Sequence, residues 1–270
     1  MHSLFLFFSG GGRRHVFFSK AQSSLCKALL ARVRKSPPDV LIFENVERYP
    51  GELLADALSD LFDMLPAKLN PPDVFSVPMA RPRQYWLLWK KSTCVWVGPE
   101  ISESWLEAME AVVIPKGTMN ANIFAADPDD SSIRKMTTSE RKHYKQYLEL
   151  FKEHKHRAKQ QNKPAITAVD LRQSTSRPVT SLADGSLPTL RTTSGSIFMV
   201  EKKQFLSDQQ LLRAQGWPIH QADSSHLGLD HFPWPSDLRR SAGVQMAGNA
   251  MFAGFPALAV FTALLYIEKF

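Results

Sequence analysis

The stretch DVLIFENV, residues 39–46, decides how the rest of the chain is read. Val40, Leu41, Ile42 and Phe43 follow one another with no polar alternation, as expected of a short parallel strand buried on both faces. Upstream, Leu25, Ala28, Leu29, Arg32 and Val33 fall on one helical face, and Ser36-Pro37-Pro38 stops that helix. Downstream, Leu53, Leu54, Ala57, Leu58, Leu61 and Phe62 repeat at helical spacing until Asn70-Pro71-Pro72 breaks the pattern. Residues 85–89 read as a further strand and residues 94–97 as another. Helix, strand, helix, strand predicts an open α/β sheet.

Composition narrows the class. The chain has 270 residues, enough for one large or two ordinary domains, and 44% of them are hydrophobic, so a packed core is within reach. Lys and Arg number 33 against 26 Asp and Glu, a net charge of +7 that favours an anionic partner, nucleic acid or membrane surface. Cys26 and Cys94 are the two cysteines, at a spacing that builds neither a disulfide framework nor a metal motif. A reducing intracellular compartment and no metal centre are the expectations.

Both ends raise targeting questions. Residues 4–8 are apolar, but the run is short and the basic residues Arg13 and Arg14 come after it, the reverse of a secretory signal. Gly10-Gly11-Gly12 satisfies neither the dinucleotide nor the nucleotide-phosphate loop pattern and reads as a glycine-rich turn. At the other end, residues 247–267 form 21 residues without a formal charge, long enough for a membrane span. Asn249, Thr262, Pro256 and many alanines temper that stretch. A helix buried in a soluble domain reads the same way and is the expectation, with a tail anchor as the alternative.

Between these ends the texture changes near Asp127. Residues 134–163 hold ten Lys or Arg against three Glu. Thr137 with Glu140 three positions later predicts a capping box, and Tyr144, Tyr147, Leu148 and Phe151 then give one apolar face. The result is a basic amphipathic helix, either a solvated surface or a face for phosphates, for which Lys142, Lys145, Lys152 and Lys155 are the candidate contacts. Residues 173–196 read as a long loop or a set of weak strands.

Three polar features carry candidate chemistry. Glu44 lies at the carboxyl end of the deciding strand, where ligands of α/β sheets bind, and a carboxyl group there can read the Watson–Crick edge of a flipped cytosine. A strand-end Glu that caps a helix is the plainer reading. Arg81 and Arg83 stand two apart before a strand and would share one face, within reach of a base carbonyl or a phosphate, or as a plain surface pair.

Taken in order, four segments resemble the second half of the DNA cytosine-5 methyltransferases. Glu44-Asn45-Val46 is similar to that family's motif VI, and residues 77–85 (VPMARPRQY) to motif VIII, with Met79 where Gln is usual. Residues 206–218, closing in Gln215-Gly216-Trp217-Pro218, resemble motif IX, and Gly248-Asn249-Ala250 before an apolar helix resembles motif X. The resemblance implies a partial Rossmann-like, S-adenosylmethionine-dependent methyltransferase fold of the α/β class with an inserted basic recognition subdomain. It implies a partial catalytic α/β domain over residues 1–125, a target-recognition-like subdomain over 126–235, and a C-terminal helix over 236–270 that returns to the catalytic domain. Glu44 would hold the flipped cytosine, Arg83 its ring carbonyl with Arg81 assisting, and Asn249 would help form the S-adenosyl-L-methionine pocket. Gln215 to Pro218 would organise the recognition subdomain, or form only a turn after a helix.

The same resemblance locates departures. Phe8-Ser9-Gly10-Gly11-Gly12-Arg13-Arg14 matches the pattern that trails the family's Pro-Cys-Gln loop, which puts Phe5 where the nucleophilic Cys belongs. Ala250 replaces the usual Ser, and the glycine-rich turn that holds the donor's methionine part has no counterpart, so the pocket is incomplete. The implied reaction is methyl transfer to cytosine C5 in DNA, and the expectation for this chain is an inactive or truncated member. A non-catalytic DNA-binding module and a tail-anchored protein stand as alternatives. DNA is the expected partner, intracellular and, in a eukaryote, nuclear the expected location, with target sequence and oligomeric state left open.

Overall fold

Local sequence accounts for most of the elements in the computed structural model, which describes residues 4–5, 20–100, 104–109, 121–125, 134–161, 168–175, 185–191, 196–230 and 233–270. In chain order these are β1 (Leu4–Phe5), α1 (Lys20–Lys35), β2 (Val40–Val46), α2 (Glu52–Leu58), β3 (Phe62–Leu69), α3 (Pro71–Phe75), β4 (Arg83–Lys90) and β5 (Cys94–Trp96). They continue with α4 (Thr138–Gln161), β6 (Ala168–Asp170), β7 (Ile197–Met199), β8 (Gln204–Phe205), α5 (Asp208–Ala214), α6 (Gln221–His226), α7 (Arg240–Asn249), α8 (Gly254–Tyr266) and β9 (Ile267–Lys269). The chain divides into two compact units. One holds Met1–Asn70, Pro82–Ile114 and Gly254–Phe270, the other Pro71–Arg81 and Pro115–Ala253.

The first unit is built on a sheet in the order β1-β2-β4-β3. β2 is parallel to β1, as its unbroken apolar run predicts, but antiparallel to β4, so the sheet is mixed. Successive residues point to opposite faces. Leu41, Phe43, Trp86 and Leu88 meet Val33 of α1 and Leu54 and Leu58 of α2 on one side, where Phe43, Tyr49 and Trp86 form a cluster of tilted and edge-on rings. The opposite face turns to α8, with Tyr85 edge-on to Phe255 at 5.7 Å. Asp39 joins the ends of the fold: its carboxylate accepts Lys269 Nζ at 2.9 Å and Thr93 Oγ1 at 3.0 Å, and the Lys269 hydrogen bond above all holds it below the usual Asp range.

β3 corrects the expectation for residues 61–69. The helical repeat ends at Leu58, and Phe62 opens a strand instead of closing a helix. Pro66 is accommodated because, among the described residues, β3 pairs with β4 alone, and an edge strand tolerates a residue that has no N–H to donate.

A second correction falls on residues 247–267. By length and composition Arg240–Tyr266 is apolar enough to cross a membrane. The backbone does not run through as one helix. α7 ends at Asn249, Ala250 is extended (φ −60°, ψ 143°), and α8 begins only at Gly254. α8 alone has 13 residues, about 20 Å of helix against the ~30 Å of a bilayer core. Phe255, Leu258, Ala259 and Thr262 are its buried side, while Phe261, Leu264 and Leu265 face solvent.

In the second unit, α4 packs Tyr144, Tyr147 and Phe151 against Val169, Leu171, Phe198 and Phe205 around the short sheet β6-β7-β8. The expected capping box is present: Thr137 N–H donates to Glu140 Oε2 at 2.9 Å, and Glu140 N–H to Thr137 Oγ1 at 3.3 Å. Residues 173–196 contribute no strand among their described positions, only a parallel bridge between Leu187 and Met79. α5 opens with a second capping box, between Ser207 and Gln210.

Candidate functional site

Glu44 sits in the fifth position of β2, fully buried, on the face that α8 covers. Residues two apart on a strand share a face, and the pairing of Glu44 with Tyr85 puts these two and Arg83 on that side. Arg83 Nε lies 3.0 Å from Glu44 Oε1, with side-chain exposures of 14% and 0%. Arg83 Nη1 also donates to the carbonyl of Pro82 at 2.8 Å, which fixes the plane of the guanidinium. A carboxylate without water around it needs a counter-charge, because the desolvation cost would otherwise keep it protonated. Arg83 supplies that charge, and the pair stands at the carboxyl end of β2 and the start of β4.

Tyr85 completes this corner and was not among the candidates read from sequence. It is fully buried, directly across from Glu44, with its ring held by Phe255. Its position two residues beyond Arg83 was the available signal, because that spacing fixes the shared face. Asn45 points to the opposite face and turns its Oδ1 to the N–H of Val46 at 2.9 Å.

The other candidates belong to the second unit. Arg81 is 1% exposed, and its guanidinium donates to the carbonyls of Leu190 and Gly248, each at 3.4 Å. The expectation that Arg81 and Arg83 present one shared face is therefore corrected: β4 begins only at Arg83, and each arginine has its own set of partners. Asn249 is the last residue of α7, with its side chain exposed. Gln215 is fully buried, donating from Nε2 to the carbonyl of Ala247 at 2.9 Å, and Trp217 Nε1 donates to the carbonyl of Met251 at 3.0 Å.

Lys142, Lys145 and Lys152 are exposed on α4, opposite the Tyr147 face, and Lys152 pairs with Glu149 at 2.9 Å. Arg141 is exposed as well, one turn before Lys145, and extends the same basic stripe. The side chain of Lys155 and that of Cys26 lie outside the described residues, as do residues 8–14. Among the described residues no three His, Cys, Asp or Glu side chains converge as a metal site would require.

S-adenosylmethionine is the donor that the resemblance implies. Of the described residues, Asn249 alone answers to a donor pocket, beside an Ala250 that has no side-chain donor. One exposed amide does not cradle a nucleoside and a sulfonium, so the described residues do not fit the group, and no step below runs through it.

No protein-family model matches the chain, and no curated protein matches it in sequence. Solved structures do match. The Dnmt2 methyltransferase of S. pombe superimposes with a TM-score of 0.59 at 12% identity, over 97% of this chain and 77% of that one. A protein of an E. coli prophage assigned as a DNA modification methyltransferase gives 0.55 at 17% identity, over 98% and 80%. Dnmt2 from Spodoptera frugiperda gives 0.54 at 13% identity, over 97% and 78%. The chain has the methyltransferase fold. At such identities the likeness concerns the fold, and the chemistry must be argued from the residues.

Proposed function

We propose that this chain is a DNA cytosine-5 methyltransferase-like protein that holds a cytosine turned out of the duplex but does not transfer a methyl group to it. The Glu44–Arg83 pair carries the reading: a fully buried carboxylate with an arginine against it, at the carboxyl end of a strand, in a fold shared with such methyltransferases. Glu44 accepts from the exocyclic amino group of the base and faces its ring nitrogen, and Arg83 beside it donates to the ring carbonyl. Turning the base out costs a few kcal/mol of stacking, which these contacts offset.

A duplex with a fluorescent cytosine analogue that brightens on unstacking tests this. The signal rises with the unaltered protein and is lost in Glu44→Gln and in Arg83→Gln, while overall DNA affinity stays within about twofold. A full signal in both variants would sink the base-holding reading.

The negative half rests on Phe5, which stands in the nucleophile's place by the motif register. In β1 it pairs with Ile42 of β2, the strand that carries Glu44. A phenyl ring forms no bond to C6 of the base, whereas the family's chemistry begins with a thiolate there. No labelled methyl group is transferred and no covalent adduct forms on DNA carrying 5-fluorocytosine. Phe5→Cys alone does not restore either. A gel-stable adduct lost on Cys26→Ser would overturn this and make Cys26 the nucleophile.

DNA affinity comes from α4 and the inserted basic subdomain, with little sequence preference, because its lysines meet phosphates and release counterions. Lys142, Lys145, Lys152 and Lys155 changed together to Glu abolish most of the binding and flatten its salt dependence. Unchanged binding would leave α4 a solvated surface. An intracellular and, in a eukaryote, nuclear location follows from this partner.

The exposed side of α8, with Phe261, Leu264 and Leu265, is the observation that favours a second reading as a membrane-attached protein. Resistance to carbonate extraction would support that reading. Release into the supernatant supports the broken, domain-covering helix.

A further inference from the structure

An α-helix leaves its last carbonyls without helical partners, and something else must satisfy them. At the end of α7 the carbonyl of Met246 takes the N–H of Ala250 at 2.7 Å. The next two are met by side chains distant in sequence. Ala247 O accepts Gln215 Nε2 at 2.9 Å, and Gly248 O accepts Arg81 Nη2 at 3.4 Å. Beyond the helix the same partners continue along the chain: Met251 O accepts Trp217 Nε1 at 3.0 Å, and Ala253 N–H donates to Gln215 O at 2.8 Å. Gly216 makes the close approach possible. Its φ of +77° lies where a side chain would strain the backbone, so the glycine is needed for the turn more than for space beside Phe252. Phe252 is in turn held by Phe75, ring centroids 5.6 Å apart.

We propose that Arg81, Gln215 and Trp217 form a tertiary C-cap and clamp that stops α7 and positions residues 247–253, the segment that carries Asn249. Arg81 acts in this clamp as a positioning residue, and the base is left to Glu44 and Arg83. Both Arg81 contacts are long, but the guanidinium is buried and carries full charge, so two backbone dipoles are its natural partners. Burial also removes the water that would otherwise take over those carbonyls. Pro256 excludes an unbroken helix through residues 252–256 but does not fix where α7 stops. The clamp ends it at Asn249.

The Arg81 assignment rests on the base-holding reading above, and two readouts on one set of variants separate the two ideas. Hydrogen exchange of the amides of residues 250–253 reports on the clamp, and the fluorescent cytosine analogue reports on the base. Gln215→Met and Arg81→Met should each raise exchange at 250–253 by about 10-fold, the worth of one buried hydrogen bond to a helix end, and Trp217→Phe, whose bond to Met251 is exposed, by about 3-fold. Exchange in the β2–β4 core should stay as in the unaltered protein, which a general loss of stability would not allow. Arg81→Lys keeps the charge on one nitrogen and should fall between. Glu44→Gln and Arg83→Gln should abolish the base signal and leave exchange at 250–253 unchanged, and Arg81→Met should do the reverse.

Unaltered exchange at 250–253 in the Gln215 and Trp217 variants would overturn the clamp, even if Arg81→Met fails to fold. A base signal lost in Arg81→Met or Arg81→Lys with normal exchange would return Arg81 to the base. Should Glu44→Gln keep the base signal, the base-holding reading falls and exchange alone judges the clamp.

Discussion

The two units are held together by different physics. In the first, four strands and their covering helices bury rows of apolar side chains, and polar groups enter at the rim, as with Asp39 and Lys269, or at the Glu44–Arg83 corner. In the second, strands are two or three residues long and buried charges tie the pieces. Arg134 makes a two-nitrogen contact with Glu140 at 2.7 and 2.6 Å, while its guanidinium lies 3.6 Å from the Phe205 ring centroid. Ser196 hydrogen-bonds the same carboxylate, and Asp170 accepts Arg191 at 2.6 Å. Tyr147, placed between these networks, has its hydroxyl pushed up to about 12, by burial first and then by Asp170. An apolar core follows from periodicity, whereas a polar tie requires particular partners, so the first unit should tolerate polar changes that the second cannot.

The sharpest break of this contrast would come from the first unit's core. Phe43 is 1% exposed and touches Tyr49 and Trp86, so Phe43→Ala should cost about 3–5 kcal/mol in urea unfolding. A loss below about 1 kcal/mol would mean that the sheet core is loosely packed and that the contrast drawn here is false.

A somewhat smaller effect belongs to the second unit. Glu140→Gln should cost about 2–4 kcal/mol at neutral pH, because Arg134 is left without its counter-charge in a mostly buried place. The Arg134 hydrogen bonds above all hold the Glu140 carboxyl far below the usual range, with Ser196 and the Thr137 backbone assisting. A depressed carboxylate stabilises the fold fully above its unfolded pKa of about 4.3 and loses that contribution as pH falls toward the folded value. The gap between the unaltered protein and Glu140→Gln should therefore be constant above about pH 5 and narrow steadily below about pH 4. A gap that stays open into the acid range would show that the charge is not what binds Arg134.

The smallest effect sharpens the point. Arg34 and Asp60 make a two-nitrogen contact as short as the Arg134 one, 2.7 Å on both nitrogens, but at the surface with side-chain exposures of 46% and 56%. Water and salt screen such a pair, so Arg34→Gln should leave the unfolding midpoint unchanged within error. A clear shift there would show that geometry outweighs burial, against the comparison of the two units.

How much of this was legible in the amino-acid sequence depended on how local the cause was. α1, β2 and β4 were legible because their apolar residues follow one period, and the Thr137–Glu140 box because cap and partner lie three residues apart. Glu44 and Arg83 were legible as candidates, and their types and strand-end positions suited a base. That they meet at 3.0 Å was not legible, since no local signal sets the register that brings β2 against β4. β3 was hidden because Leu61 and Phe62 continue the helical spacing of α2, and its pairing with β4 has no local signal.

By itself, the amino-acid sequence determined the alternation of buried strand and amphipathic helix, the basic face of α4 and the residue types available to hold a base. Periodicity and capping act within a few residues, so the chain carries them wherever it is placed. Only the tertiary structure decided that the mixed sheet closes on β3, that Arg81 and Arg83 part company after Pro82, and that the helix entering the charge-free run stops at Asn249. Each of those outcomes depends on a partner tens to more than a hundred residues away. A carbonyl at the end of α7 accepts whichever donor the fold delivers, and that donor cannot be known until the fold is formed.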